Sequence, residues 1–226
     1  MIVALFDCDG TLFSAQFGRC LLKYSRAHGY QGAVRTFYTS LLISYTLRKL
    51  KLVSAEWFSR KLMAGLAMMI KGWKEEEVQA AFQWIVEEWF IPTQQEEVIS
   101  RYQSHQDQGH LIVLVSAQFL PVLEIYGNQR NVFGMIGTKL ELKEGRYTGK
   151  IIPPVITAQD KQDQTLAFFS SRNIEVDWGA SFAYADSITD RQMLGLAGHP
   201  VAVFPDAQLH ALAQRNGWEI IGTKKP

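Results

Sequence analysis

Read for its apolar and polar positions, the chain falls into two kinds of segment. Short unbroken apolar runs lead into polar or turn residues: IVALFD (2–7), LIVLVSA (111–117), FAYAD (182–186) and VAVF (201–204), with WEII (218–221) as a further candidate. Their continuity, in place of strict alternation, is the mark of strands covered on both faces. Helical patterns separate them, at roughly 94–108, 119–127, 159–173, 190–196 and 206–216. Strand alternating with helix predicts an α/β fold around a parallel sheet. The stretch GTKLELKEGRYTGKII (137–152) differs, with two strand-like halves flanking KEG, and predicts a β-hairpin.

The interval between the first two strands is too long for one crossover. Residues 15–92 carry only helical patterns, rich in Leu, Met, Phe and Trp. They predict a helical cap inserted after the first strand. The expected division is an α/β core from residues 1–14 and 93–226, and a cap from 15–92. Thr93 is the expected N-cap of the returning helix, with Pro92 blocking helix continuation before it.

Composition narrows the partners. The 226 residues are 47% hydrophobic, enough for a substantial core, and the net charge of +1 gives no reason to expect nucleic acid. The two cysteines, Cys8 and Cys20, form no CxxC pair, and no Cys/His cluster has zinc-ligand spacing. The five histidines form no cluster in sequence. The first residues lack the basic region and cleavage site of a signal peptide, and no apolar stretch is long enough to span a bilayer. A cytoplasmic location is the expectation.

In an open parallel sheet the ligand crevice lies beyond the C-terminal strand ends. The first strand leads to Asp7 and Asp9, the second to Ser116, the third to Asp186 with Asp190 four residues on. Lys161 opens the helix before the third. If the first strand persists, Asp7 and Asp9 point the same way and Cys8 the other. An oxygen-only cluster beside a phosphate suits Mg²⁺. One carboxylate can attack phosphorus and a second can handle the proton, while a lysine and a hydroxyl hold the phosphoryl group.

These residues resemble a family. DCDGTL (7–12), the serine ending LIVLVSA, a lysine at 161 and ADSITD (185–190) look like the four ordered motifs of the haloacid dehalogenase-like (HAD) superfamily. The helical insert, the hairpin and GHPVAVFPDAQLHALAQRNGWEII (198–221) resemble its phosphoserine-phosphatase-like branch. The resemblance implies a Rossmann-like core and a Mg²⁺-dependent phosphatase acting on a small phosphorylated substrate through an aspartyl-phosphate. It implies Asp7 as nucleophile and metal ligand, and Asp9 as general acid/base lending its backbone carbonyl to the metal. Thr11, Ser116 and Lys161 would bind the phosphoryl group. Asp186 would ligate Mg²⁺, and Asp190 would orient a metal water or Lys161. Four positions depart from the pattern. Ala185 stands where glycine is usual, Gln16 where phosphoserine-specific relatives carry a glutamate, Thr189 where they have asparagine, and Ala117-Gln118 where two glycines follow the serine.

The cap leaves substrate open. From Arg35 to Lys74 eight basic residues face one acid, Glu56, with FYTSLLISYTL and LMAGLAMMI among them. Such a segment suits helices with one face on the core and a basic face in water, steering anions inward. It also suits peripheral contact with an anionic membrane, and hence a lipid-phosphate phosphatase. Phosphotransfer to another alcohol and a non-enzymatic scaffold are the remaining alternatives.

Overall fold

The computed structural model describes residues 1–223. Strand β1 (Val3–Phe6) is followed by four helices, α1 (Phe17–Ala27), α2 (Gln31–Lys49), α3 (Ala55–Met69) and α4 (Glu75–Ile85). Then come α5 (Glu96–Asp107), β2 (Leu111–Phe119), α6 (Leu120–Asn128), β3 (Gly134–Lys143) and β4 (Arg146–Ile152). The chain ends with α7 (Gln159–Ser170), β5 (Phe182–Ala185), α8 (Arg191–Leu194), β6 (His199–Val203), α9 (Ala207–Asn216) and β7 (Glu219–Ile221). The seven strands form one sheet in the order β4-β3-β2-β1-β5-β6-β7. Among these strands of the described residues, only β3 and β4 pair antiparallel. This is the expected α/β architecture.

Position in the sheet explains the continuous apolar runs. β1 lies at the centre, pairing Val3 with Leu111 on one side and Ala4 with Phe182 on the other. Its alternate residues enter two separate cores. Val3 and Leu5 pack with Val113, Phe169, Met193 and Leu209, while Ala4 and Phe6 pack with Leu114, Val98 and Tyr102. The second core also takes in Phe17, Leu66, Phe82 and Phe90, so the helices between β1 and β2 share one apolar cluster with that face of the sheet.

The hairpin forms around KEG. Lys143 pairs with Arg146 across a two-residue loop, Glu144 and Gly145, both at positive φ (51° and 71°). That is the backbone whose twist matches antiparallel strands. The expectation for Thr93 is overturned. Gln95, with no side-chain cap, precedes α5, and the Thr93 hydroxyl instead donates to the Trp89 carbonyl and accepts from the Ala15 amide. The helical run does break beside Pro92: it ends at Thr93, and α5 begins only at Glu96. The chain passes from α4 through a π-helical turn (Val86–Phe90) into a 3-10 turn (Ile91–Thr93). There proline occupies a first-turn position, where a missing N–H costs nothing.

α2 buries Val34, Phe37 and Leu41 but exposes Tyr38, Leu42, Ile43 and Tyr45. No helix among the described residues is long and apolar enough to cross a membrane.

Candidate active site

The seven residues singled out in the sequence come together. Asp7 follows β1 by one residue, Ser116 lies on β2, Asp186 follows β5 by one residue, and Lys161 is the third residue of α7. Together with Asp9 and Asp190 they line one cavity of about 210 Å³ at the C-terminal edge of the sheet. Thr11 lies buried beneath it and donates its hydroxyl hydrogen to Asp7 Oδ2 (3.3 Å).

Lys161 is buried and forms two ion pairs, to Asp7 Oδ1 at 2.7 Å and to Asp190 Oδ1 at 2.8 Å. Burial opposes the ammonium charge, but Asp190 and Asp7 outweigh it and raise its pKa above the ordinary lysine range. Asp190 shares its lysine with Asp7. Burial therefore raises its pKa against the pull of Lys161, with the nearby Asp7 adding to the rise. Asp190 stands at the N-cap position of α8, yet its side chain makes no cap bond there and turns to Lys161 instead.

Asp9 differs from the expectation. β1 ends at Phe6, and the chain turns, with the amides of Thr11, Leu12 and Phe13 all directed to the Cys8 carbonyl. Strand alternation therefore does not aim Asp9. Its carboxylate accepts from the Phe17 amide at the start of α1 (3.0 and 3.2 Å) and from Gln118 Nε2 (2.5 Å). A helix N-terminus and an amide donor favour the anion, but burial, aided by Asp7, wins and raises its pKa to about 7. Cys8 is fully buried. Burial first, then Asp7 and Asp9, push its thiol well above the usual range, which suits a packing residue.

Carboxylate oxygens of Asp7, Asp186 and Asp190 lie within 4.8 Å of one another. An all-oxygen donor set of this kind fits a hard divalent cation. Gly10 makes the cluster compact. It sits at φ +84°, and a Cβ there would fall 2.5 Å from Asp186 Oδ2. The carboxylate of Asp206 accepts from the Ile188 amide (2.9 Å) and the Ser187 hydroxyl (3.1 Å), and so fixes the loop between Asp186 and Asp190. Ala158, which also lines the cavity, is held at φ 46° just before Lys161. Few non-glycine residues adopt such a backbone.

Sequence reasoning assigned no role to Gln118, Glu56 or Ser59. Gln118 occupies one of the positions that depart from the two-glycine pattern. It is buried, and its Oε1 has no protein partner. Glu56 and Ser59 reach the cavity from α3, and Gln16 from the start of α1. An acid is thus present at the cavity even though Gln16 is neutral. Arg60 binds Glu56 (3.0 Å) and Asp160 (2.5 Å), joining α3 to the first turn of α7. The histidines are not all isolated either. His105 Nδ1 lies 2.8 Å from His110 Nδ1, and its Nε2 lies 2.8 Å from the Tyr184 hydroxyl. This pair spans the C-terminal end of α5 and the entry to β2, away from the cavity.

The sequence profile of the haloacid dehalogenase-like hydrolases matches residues 4–195. A histidinol-phosphatase of Neisseria meningitidis is 28% identical over 98% of this chain and 99% of its own length. A phosphoserine phosphatase of Mycobacterium tuberculosis is 28% identical over 96% of this chain and 69% of its own length. Among solved structures, a Bordetella pertussis protein of unknown function superposes with a TM-score of 0.82 at 22% identity, over 97% of both chains. A phosphoserine phosphatase solved as a phospho-aspartyl intermediate analogue superposes with a TM-score of 0.65 at 17% identity, covering 99% of this chain and 93% of that one. The structural likenesses establish the fold. Neither they nor the relatives support peripheral membrane contact, the alternative reading of the basic segment.

Proposed function

The chain belongs to the haloacid dehalogenase-like hydrolases, and from that premise we propose that it is a Mg²⁺-dependent phosphatase acting on a small phosphate monoester through an aspartyl-phosphate on Asp7. The observation that carries this reading is the contrast between two acids on one cavity. Asp7 is ion-paired with Lys161 at 2.7 Å, while Asp9 has its pKa raised to about 7 by burial and the Asp7 charge. One is equipped as a nucleophile and the other to exchange a proton near neutral pH.

In the proposed reaction an Asp7 oxygen attacks phosphorus, and the bond to the leaving alcohol breaks. That alcohol oxygen takes the proton held by Asp9. Asp9, now a carboxylate, removes a proton from the water that attacks phosphorus of the Asp7 acyl phosphate, breaking its bond to Asp7. Phosphate leaves and both acids return to their starting states. Lys161, Ser116 and Thr11 hold the non-bridging oxygens in place as charge redistributes. Asp7 and Asp186 would hold a divalent ion, with Asp190 beside them and the Asp9 carbonyl as a further donor. Such an ion supplies positive charge for the phosphoryl oxygens and screens Asp7 from an incoming anion. Gln16, Glu56 and Ser59 close the cavity from the helical side, and we take residues 15–92 as a cap that excludes water and selects the leaving group.

Phosphate release from a panel of monoesters, with Mg²⁺ or with chelator, tests the reading. Asp7→Asn should lower release by about a thousandfold or more while leaving the fold intact. Near-normal turnover in that variant would remove Asp7 as nucleophile.

A further inference from the structure

The catalytic cavity, at about 210 Å³, is smaller than sites that enclose a whole small molecule, roughly 300–1,000 Å³. A leaving group of any size must therefore extend out of it. Beside it lies a second and larger concavity of about 800 Å³, between α2, α3 and the β4 strand with its following loop. Its walls are mainly apolar, including Leu41, Ala64, Met68, Ile151 and Val155, and no acidic residue lines it.

The two spaces share both walls. On α3, Glu56 and Ser59 line the catalytic cavity, while Arg60, Ala64 and Met68 line the groove. Glu56, Arg60, Ala64 and Met68 follow the four-residue spacing that keeps side chains on one helix face. Opposite, Thr157 and Ala158 line the cavity, while Gly149, Ile151 and Val155 line the groove. Contacts at both ends fix the direction of travel. Arg60 pairs with Asp160, and a Cβ on Gly149 would lie 3.0 Å from Met68 Sδ. α3 therefore runs antiparallel to residues 149–160, and the trough from Arg60 to Met68 is about 12 Å long at 1.5 Å per residue. The Arg60 guanidinium stands where the polar cavity gives way to the apolar groove. Lys61 and Lys150 also border the groove. A polar, anionic head at the inner end and an apolar tail beyond it would meet matching surfaces along this length.

We propose that the groove holds the apolar chain of the leaving alcohol, so that the substrate class is the phosphate monoester of a single-chain amphiphile. This rests on the phosphatase reading above. It places the specificity in α2, α3 and β4, and it needs no membrane.

The test is kcat/KM for butyl, octyl and dodecyl phosphate below their micelle-forming concentrations, with p-nitrophenyl phosphate as reference. Each seated methylene raises kcat/KM by up to about fourfold, so dodecyl phosphate should exceed butyl phosphate by about tenfold or more. Ala64→Trp, which fills the trough, should cut the ratio of dodecyl to p-nitrophenyl kcat/KM by about tenfold, and Met68→Asp, on the same face, should do likewise. A flat dependence on chain length, with p-nitrophenyl phosphate turned over, would overturn the groove assignment and leave the phosphatase standing. No hydrolysis of any ester, p-nitrophenyl phosphate included, would overturn both.

Discussion

Gln118 Nε2 donates to Asp9 Oδ1 at 2.5 Å, from a side chain that is itself buried on β2. With the Phe17 amide, it fixes a carboxylate that no strand geometry aims. Gln118 thereby acts through Asp9, as a positioning residue, without lining the cavity.

Loss of this contact should be felt in proportion to the need for a proton. An alkyl phosphate cannot expel its alkoxide unaided, whereas p-nitrophenolate leaves without protonation. Gln118→Ala should lower kcat/KM for an alkyl phosphate by about tenfold to a hundredfold, a part of the roughly hundredfold to ten-thousandfold that a positioned acid supplies. The p-nitrophenyl ester should change far less. An equal fall for both esters would mean that Gln118 only supports the fold.

Asp9 also ties stability to pH. Its pKa in the fold is about 7, against roughly 3.9 in the unfolded chain. The native state therefore binds the proton more tightly, and stability falls as pH rises from about 4 to 7. Asp9→Asn should be more stable than the parent at pH 8 and close to it at pH 4, with a gain of at most about 4 kcal/mol. Urea denaturation at the two pH values reads the difference. A gain of the same size at both would exclude a buried acid at this position.

Lys161 presents the opposite case. Lys161→Met leaves Asp7 and Asp190 buried without their cation, at a cost of about 3–5 kcal/mol. Adding Asp190→Asn removes one of the two stranded charges and should recover part of that loss. A double variant no more stable than the single would show that the ion pair, as a source of stability, is not what holds Lys161 in place.

Much of this arrangement is legible in the sequence, for a physical reason. The central strands are covered on both faces, so they read as unbroken apolar runs, and whatever follows them must lie at the crevice. That logic brings Asp7, Ser116 and Asp186 together without knowledge of any contact. Lys161 follows from its place in the ordered motifs, and its ion pairs with Asp7 and Asp190 bring it to the same point. Asp9 was harder, because its direction depends on the turn after Phe6 and on the start of α1, neither of which follows from a period of two. Gln118 could be noticed as a departure from two glycines, but one amide carries no pattern that names its partner. His105 and His110 meet only because helix α5 ends and β2 begins between them. Thr93 carries the usual cap signal, yet it closes the 3-10 turn Ile91–Thr93, and α5 begins three residues later at Glu96.

Two glycines separate backbone strain from site geometry. Gly10 and Gly29 both sit at φ +84°. A Cβ on Gly29 meets nothing within 4 Å, while one on Gly10 would lie 2.5 Å from Asp186 Oδ2. Gly29→Ala should therefore show the conformational cost alone, about 1–2 kcal/mol. Gly10→Ala adds displacement of a carboxylate from the cluster of Asp7, Asp186 and Asp190. If that cluster holds Mg²⁺, the rise in melting temperature on adding Mg²⁺ should persist in Gly29→Ala and shrink or vanish in Gly10→Ala, because a ligand stabilises only the state that binds it. The comparison needs no turnover, so it tests the metal site independently of the reaction. An equal Mg²⁺ response in the two variants would mean that Asp186 is not a ligand, and the cation would have to be sought elsewhere.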